Sequence, residues 1–373
     1  MHIVHPEHDQ SGKRVTVMGL GLHGGGAAAA RYFADRGAQV TITDLRDEEI
    51  LRPSLEVLSS DKLRYVLGRH EERDFTHADV IVKNPAVPRN SPYIITALQH
   101  GAALETDISI FLSFLCNFSL QGRQGVRGER EPADRHTPEL GNVVFIAVTG
   151  SKGKSSTSTI IHHILSLEGD RSAAYLGGNI TVSPLSFLED IPQAIAIGKT
   201  VYIVLELSSF QIGDLRQVID SRHAHHELYW PDYAILTTIL PDHQDYYHNM
   251  ENYVRDKLYL FENMPDENIR IIGDAGKWMS LFLRSGESIA AADIKDPKMT
   301  DTGKNFRIMG EHLRTNINMA IHLLRIMGIG AEQINRGVEN FPGIDHRLQE
   351  IGACMGGRMR IINDSAATIP EAC

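Results

Sequence analysis

An apolar run, a glycine loop and a helical pattern follow one another at residues 143–169, and this succession restricts the fold more than any other feature. VVFIAV has the composition of a buried strand, VTGSKGKSSTST contains the glycine loop, and IIHHILSLEG continues as a helix. Backbone N–H groups at a helix start, one lysine and one hydroxyl are what a phosphate and its magnesium ion require. The sequence therefore predicts an α/β nucleotide-binding unit.

The loop is shorter than the general phosphate-binding pattern, in which four residues separate the first glycine from Gly-Lys-Ser/Thr. Here only two residues separate Gly150 from Gly153. The spacing by itself leaves open which class of phosphate chemistry the loop serves. The predicted phosphate-binding residues are Gly150, Gly153, Lys154, Ser155 and Ser156.

Length and composition limit the class of protein. A chain of 373 residues predicts two or three domains. The 42% hydrophobic content contains no run of spanning length, and the N-terminus lacks a signal-peptide pattern. Three widely spaced cysteines favour a reducing compartment, and a net charge of −10 argues against nucleic acid as a partner. We therefore expect a cytoplasmic protein that binds neither membranes nor nucleic acid.

The first hundred residues predict a Rossmann-like unit. RVTVMGLGLHGGGAAAARYFADRGAQVTITD reads as strand, glycine turn, helix and strand, and its glycines satisfy G-x-G-x-x-G. Asp44 lies where an acidic residue would meet a ribose hydroxyl, although the glycines can equally serve packing alone. ADVIVKNPAVP then places Lys83 and Asn84 at the end of a strand, where open α/β sheets bind ligands.

The sequence predicts a Rossmann-like domain over 1–103 and a central ATPase-type α/β domain over 104–341. Within the central region, SLQGRQGVRGEREPADRHTPELGN at 119–142 is polar, rich in Gly and Pro and without periodicity. This composition predicts an inserted, exposed loop.

Three segments of the central region carry candidate catalytic groups. VYIVLEL is a buried strand that ends on Glu206, where a phosphate-loop enzyme holds magnesium, or where a buried ion pair can lie. PDYAILTTILPDHQDYY opens into Asp242, His243 and Asp245, which can be catalytic or a structural hydrogen-bonded set. ENYVRDKLYLFENM reads as an amphipathic helix carrying Lys257, which by itself can be a surface charge.

Four of these motifs, in this order, resemble the ATP-dependent Mur ligases of bacterial peptidoglycan synthesis. They are VTGSKGKSSTST, VLELSSFQ, the D-H-x-D at 242–245 and YVRDKLYLFEN. The family's phosphate loop has the same short form, so the resemblance implies that ATP activates a carboxylate. GLGLHGGG and ELSSFQ resemble the branch that joins D-glutamate to UDP-N-acetylmuramoyl-L-alanine. The resemblance runs from about Val15 to Ala372.

The resemblance implies roles for individual residues. Lys154 would hold the β- and γ-phosphates, Ser155 with Glu206 would bind one Mg²⁺, and His243 with Lys257, as an N-carbamate, a second. Further nucleotide contacts are implied at Asn316, Arg347 and Asp364. Implied contacts with the UDP-sugar, together with Asn84 at its strand end, are Leu22, His23, Asp44, Arg46, Asn179 and Ser208.

The implied reaction forms an acyl phosphate on the terminal carboxylate of UDP-N-acetylmuramoyl-L-alanine, and the D-glutamate amine then attacks this acyl phosphate. The sequence departs from the family at Thr238, Leu313 and Ala366, where Asn, Asn and Lys are usual. The family also continues with a third domain, so the resemblance implies that residues 342–373 are the incomplete beginning of a third α/β domain and that amide formation is slow. We also expect a monomer. Two alternatives stay open: a non-catalytic fragment that binds nucleotide or UDP-sugar, and a ligase resembling folylpolyglutamate synthase, against which ELSSFQ speaks.

Overall fold

The computed structural model describes residues 9–58, 63–125, 143–180, 182–221, 228–283, 286–293, 311–344, 349–354, 359–363 and 365. Two sheets built on parallel strand pairs alternate with helices, which confirms the predicted α/β class. Within the described ranges, no helix combines the length and the apolar character that crossing a membrane requires.

The first sheet has five strands: β1 (Arg14–Met18), β2 (Gln39–Asp44), β3 (Leu63–Leu67), β4 (Val80–Lys83) and β5 (Ala103–Glu105). Its helices are α1 (Gly25–Asp35), α2 (Glu48–Leu55), α3 (Arg73–Thr76), α4 (Pro92–Gln99) and α5 (Asp107–Gly125). The strand order is β3-β2-β1-β4-β5, with all pairs parallel. The strand order reverses between β1 and β4, so the carboxyl ends of these two strands form a topological switch point, where open α/β sheets generally bind ligands.

The second sheet has the order β11-β10-β9-β6-β8-β7. Its strands are β6 (Val143–Thr149), β7 (Ser172–Gly178), β8 (Thr200–Glu206), β9 (Tyr233–Thr238), β10 (Ile269–Asp274) and β11 (Glu287–Ala290). The helices after α5 are α6 (Lys154–Leu165), α7 (Asp190–Ala196), α8 (Ser209–Ser221), α9 (Gln244–Tyr247), α10 (Met250–Asn263), α11 (Met279–Phe282), α12 (Glu311–Ile326) and α13 (Ala331–Glu339).

The core of the second sheet explains its continuous apolar runs. All seven residues of β6 are buried, because the strand is central and covered on both faces. Apolar side chains of α6, α12 and α13 pack together with those of β6, β9 and β10 in one cluster. Residues 150–153, which we call the phosphate loop, therefore follow directly from a fully buried strand.

A buried arginine on this sheet forms hydrogen bonds with the C-terminal end of α10. The Arg270 guanidinium, on β10, is fully buried and donates to the carbonyls of Phe261, Met264, Pro265 and Asn268. The last carbonyls of a helix have no partner within the helix, and this side chain supplies donors at the C-terminal end of α10. The position of α10 relative to β10 is fixed in this way.

The predicted loop at 119–142 is wrong at its start. Helix α5 continues through residue 125, and the rest of the segment lies outside the described residues. The physical reason is that Leu, Gln and Arg in SLQGRQG are good helix formers, and the first proline comes only at Pro132. Gly122 lies within this helix, which the structure describes as far as Gly125.

Strands β12 (Gln349–Cys354) and β13 (Met359–Asn363) form an antiparallel pair with an irregularity between Glu350 and Gly352. They fall in the region where a third domain is predicted to begin.

The chain divides into two compact units that do not follow its order. The first comprises 1–129, 177–193 and 207–230, and the second 130–176, 194–206 and 231–373. The predicted boundary after residue 103 differs from this division because α5 belongs to the first unit. The predicted boundary after residue 341 falls within the segment 231–373 of the second unit. The three-domain division stays a prediction.

Candidate active site

The phosphate loop leads from β6 into α6, and both of its glycines have positive φ, +143° at Gly150 and +84° at Gly153. A Cβ on Gly150 would collide with the Thr237 hydroxyl, and one on Gly153 would collide with the Asn316 amide. Only glycine fits at either position. The structure thus brings Asn316, on α12, against the loop.

The end of β9 holds the loop through hydrogen bonds. The Ser151 N–H donates to the Thr238 carbonyl at 2.8 Å, and the Lys152 N–H donates to the Thr238 hydroxyl at 3.2 Å. The Ser151 hydroxyl donates to the Leu240 carbonyl and accepts from the Leu240 N–H, each at 2.9 Å. Thr238, a departure from the family pattern, is therefore a direct partner of the loop.

Two lysines converge on one carbonyl of this loop. Lys154 Nζ donates to the carbonyls of Gly150 and Ser151, each at 3.0 Å. Lys257 Nζ, from α10, donates to the same Gly150 carbonyl at 2.9 Å and contacts Thr149 Oγ1 at 3.4 Å. Phosphate oxygens are stronger acceptors than carbonyls, so Lys154 can exchange these partners for a phosphate.

Lys257 is 1% exposed, so its interpretation as a surface charge is wrong. Its Nζ lies 4.8 Å from the centre of the Tyr253 ring. Burial lowers the pKa of Lys257 well below its ordinary value, and the charge of Lys154 lowers it further, against opposing carboxylates that include Glu206. The site thus shifts the protonation equilibrium of Lys257 toward the neutral amine.

The chemistry of two nearby groups fits magnesium. Glu206 ends β8, lies beside Val148 of β6 in the parallel register and is 2% exposed. Ser155 and the buried Ser156 lie in the first turn of α6, directly after the loop. One carboxylate and one hydroxyl leave positions for phosphate and water, which is the arrangement that Mg²⁺ prefers. In the part of the chain that the structure describes, no cluster of three or more His, Cys, Asp or Glu forms a metal cage.

His243 lies at the N-cap position of the short helix α9 and has a left-handed backbone, with φ of +52°. Its Nε2 lies 3.7 Å from Asp242 Oδ2, and the Asp242 carboxylate lies 4.0 Å from Lys152 Nζ. The aspartate beside His243 therefore faces the phosphate loop. The structure brings Lys154, Ser155, Lys257 and Asn316 to the phosphate loop. His243 lies at the start of α9.

The glycine turn of the first unit is held by Asp44. The Asp44 carboxylate accepts from the Gly21 N–H at 3.2 Å and from the Arg46 N–H, Nε and Nη2 at 3.0, 3.1 and 2.9 Å. Burial alone would raise the pKa of Asp44, but the bonds from Arg46 and Gly21 outweigh it and lower the pKa. Leu22 and His23 are exposed beside this turn.

The remaining residues predicted to contact the sugar lie in three places. Asn84 follows β4 and packs so closely on Gly19 and Gly21 that a Cβ on either would come within 2.9 Å of it. Ser208 forms a capping box with Gln211: the Ser208 N–H donates to Gln211 Oε1 at 3.0 Å, and the Gln211 N–H donates to Ser208 Oγ at 3.2 Å. Asn179 is exposed after β7.

Some predicted positions lie outside the described residues. They are Arg347, Asp364 and Ala366, together with the side chain of Leu313. The sequence reasoning missed the contacts of Thr238 and the capping box. The box could have been found, because S-x-x-Q at the start of a helix is its signature.

Two family models match the chain. The Mur ligase middle domain matches residues 148–324, and the N-terminal domain of the MurD-like Mur ligases matches residues 13–105. The middle-domain match begins at the phosphate loop and includes the Glu206, His243 and Lys257 segments. The N-terminal match contains the glycine turn and Asp44.

Relatives with similar sequences and a solved structure with a similar fold agree with these two matches. A UDP-N-acetylmuramoylalanine–D-glutamate ligase of Roseiflexus is 32% identical over 97% of this chain and 74% of its own length. One of the same name from Treponema pallidum is 42% identical over 73% of this chain and 45% of its own length. The UDP-N-acetylmuramate–alanine ligase of Thermotoga maritima shares the fold at a TM-score of 0.52, with 17% identity over 96% of this chain and 75% of its own. By this similarity, and with the phosphate loop and its lysines in place, the chain belongs to the Mur ligase family.

Proposed function

We propose that this chain is an ATP-dependent ligase that joins D-glutamate to UDP-N-acetylmuramoyl-L-alanine. The observation that carries the proposal is the convergence of Lys154 and the buried Lys257 on the Gly150 carbonyl, inside a glycine loop at a helix start. The names of the relatives from Roseiflexus and Treponema pallidum support the choice of substrates. ATP consumption supports the expected cytoplasmic location, and a monomer stays a prediction.

In this proposal the loop binds the nucleotide phosphates. The N–H groups at the start of α6 face the anion, and Lys154 leaves its two carbonyl partners for the β- and γ-phosphates. Asn316, packed on Gly153, lies where it can contact the same nucleotide. The reaction moves the γ-phosphoryl group of ATP to the terminal alanine carboxylate of UDP-N-acetylmuramoyl-L-alanine, and the D-glutamate amine then displaces phosphate from the acyl phosphate. Its products are an amide, ADP and phosphate.

Ser155 and Glu206 would hold one Mg²⁺, and His243 with Lys257 a second. Bound magnesium supplies charge stabilisation for phosphoryl transfer. Lys257 would ligate as an N-carbamate, because Mg²⁺ takes oxygen ligands and a carbamate presents two oxygens, whereas a lysine amine presents none. The lowered pKa of Lys257 supports this role, since carbamate formation needs the neutral amine.

The first unit is proposed to bind the UDP-sugar rather than a nicotinamide dinucleotide. Asp44 orients the Gly21 N–H and the Arg46 side chain, and the exposed Leu22 and His23 lie beside them. A domain with a glycine turn that precedes an ATP-dependent ligase core in the sequence needs no redox cofactor. Asn84, Asn179 and Ser208 are the further proposed contacts.

The test measures binding and turnover separately. Titration calorimetry should show binding of UDP-N-acetylmuramoyl-L-alanine and of ATP, and no binding of NAD. Phosphate release should require both ligands and increase with D-glutamate. Binding of NAD without binding of UDP-N-acetylmuramoyl-L-alanine would support a dinucleotide site in the first unit instead. Binding of both ligands without any phosphate release would favour the alternative, a nucleotide- and sugar-binding protein without catalysis.

Replacing Thr238 by valine should weaken ATP binding by about 2- to 10-fold, which corresponds to the free energy of one hydrogen bond. Valine keeps the shape of threonine and removes the hydroxyl that accepts from the Lys152 N–H. Thr238→Ser should restore binding. The dissociation constant for ATP, measured by calorimetry, checks the prediction.

The matched control is Thr16→Val, which removes a hydroxyl that donates to the Asp74 carbonyl in the first unit. This variant should bind ATP like the unaltered chain. If Thr238→Val also binds ATP normally, the hydroxyl of Thr238 has no part in shaping the loop for nucleotide.

A further inference from the structure

Three charged side chains from separate segments of the first unit meet below its surface. Lys83 Nζ, at the end of β4, lies 2.6 Å from Asp214 Oδ2, on α8. Arg89 Nε, from the loop after β4, lies 2.9 Å from Asp214 Oδ1. Side-chain exposure is 1% for Lys83, 2% for Asp214 and 23% for Arg89. We call these three residues the Asp214 cluster.

Burying the charges of the Asp214 cluster is unfavourable in free energy, which argues that the cluster has a specific role. Removing charges from water costs several kcal/mol for each ion, and this cost is recovered only with good geometry. Here each carboxylate oxygen of Asp214 accepts from a different cation. Two bonds from two directions fix both the depth and the rotation of α8, which one apolar contact would not do.

The same face of α8 makes further contacts with the same unit. Gln217 Nε2, three residues after Asp214, donates to the Arg89 carbonyl at 2.9 Å. Val218, four residues after Asp214, is fully buried in the apolar cluster with residues of β1, α4 and β4. Positions three and four apart lie on one side of a helix, so α8 is held along one face.

The cluster is connected to two proposed substrate contacts. Asp214 lies three residues after Gln211, whose capping box with Ser208 fixes the start of the same helix. Lys83 directly precedes Asn84 and approaches the Asn84 carbonyl at 3.4 Å. The Lys83–Asp214 ion pair therefore joins the residue that precedes Asn84 to the helix that begins after Ser208.

We propose that Lys83 and Asp214 are positioning residues, which hold Asn84 and Ser208 in a fixed arrangement for a nucleoside-diphosphate sugar. This inference rests on the proposed function, because it takes the UDP-sugar as the ligand of the first unit. Arg89 completes the cluster by holding the second oxygen of Asp214. The three residues act through Asn84 and Ser208.

The test compares two ligands in the same variants. Lys83→Met and Asp214→Asn should each raise the dissociation constant for UDP-N-acetylmuramoyl-L-alanine by about tenfold or more, since small displacements of positioning groups have effects of this size. The dissociation constant for ATP should stay within about twofold. Calorimetry on the full chain measures both. A role in general folding would weaken both ligands equally and would overturn the proposal.

The control is Asp220→Asn, on the same helix. Asp220 is 69% exposed and pairs with Arg216 at 3.8 Å, so its loss should alter neither dissociation constant. If a single variant fails to fold, the double variant Lys83→Met with Asp214→Leu leaves neither partner of the buried pair charged and should fold. It should still bind the UDP-sugar weakly and ATP normally.

Two failures are distinguishable. If the unaltered chain does not bind the UDP-sugar, both the proposed function and this inference are overturned. If the unaltered chain binds it and the folded double variant binds it equally well, only the positioning role is overturned.

Discussion

Replacing Lys154 by alanine is expected to lower ATP-dependent phosphate release by about 10²-fold or more, the usual effect of removing a group that stabilises transition-state charge. Lys154 lies at the start of α6, and its Nζ donates to the carbonyls of Gly150 and Ser151. In the proposed reaction, its removal takes the cation from the position where the γ-phosphate would gain charge. A coupled phosphate assay with saturating UDP-sugar measures the effect.

Lys152→Ala provides the matched control, because it removes the same side chain two positions earlier in the same loop. The Lys152 side chain lies 4.0 Å from Asp242, whereas its contact with Thr238 uses the backbone and survives the change. We expect a much smaller loss. Equal rates for Lys154→Ala and the unaltered chain would refute the assignment of the phosphate loop.

Replacing Lys257 by alanine should also lower turnover by about 10²-fold or more, because a group that helps to stabilise the charge of the reacting phosphate is lost. A short-chain carboxylic acid in the buffer should restore part of the activity, since its oxygens can replace those of a carbamate. The buried cavity left by the lysine, beside Thr149 and Gly150, gives the acid a place to bind.

The specificity of this rescue is tested with Lys154→Ala, which the same acid should not restore, because the missing group there is a cation. A crystal grown at alkaline pH with bicarbonate should show a carbamate on Lys257. A bare ammonium there, together with no rescue at any acid concentration, would contradict the carbamate role.

The succession of elements around the phosphate loop was predictable because it is local. Strand β6, the loop and α6 occupy consecutive residues, and their apolar pattern and glycines are sufficient to predict them. The ends of β2, β4, β8 and β9 were predictable for a related reason: carboxyl ends of parallel strands gather on one edge of a sheet. This rule led to Asp44, Asn84, Glu206 and His243 from the sequence alone.

The end of α5 shows the limit of composition. Glycine and polar residues at 119–125 predicted a loop, yet the helix continues to residue 125. Lys83 shows a second limit: its place at a strand end predicted a ligand contact, whereas the structure turns it inward to Asp214. The partner that decides this orientation is 131 positions away in the sequence.

By itself, the sequence determined the α/β class, the glycine positions of both loops and the order of the motifs, because each depends on neighbouring residues and on backbone sterics. The tertiary structure alone decided that Lys257 is buried, that Thr238 holds the phosphate loop and that Asp214 is shared by two cations. These properties depend on contacts such as Lys152 with Thr238, which are 86 positions apart. Burial and charge pairing are set by whatever the folded chain brings next to a side chain, and sequence spacing does not encode that neighbour.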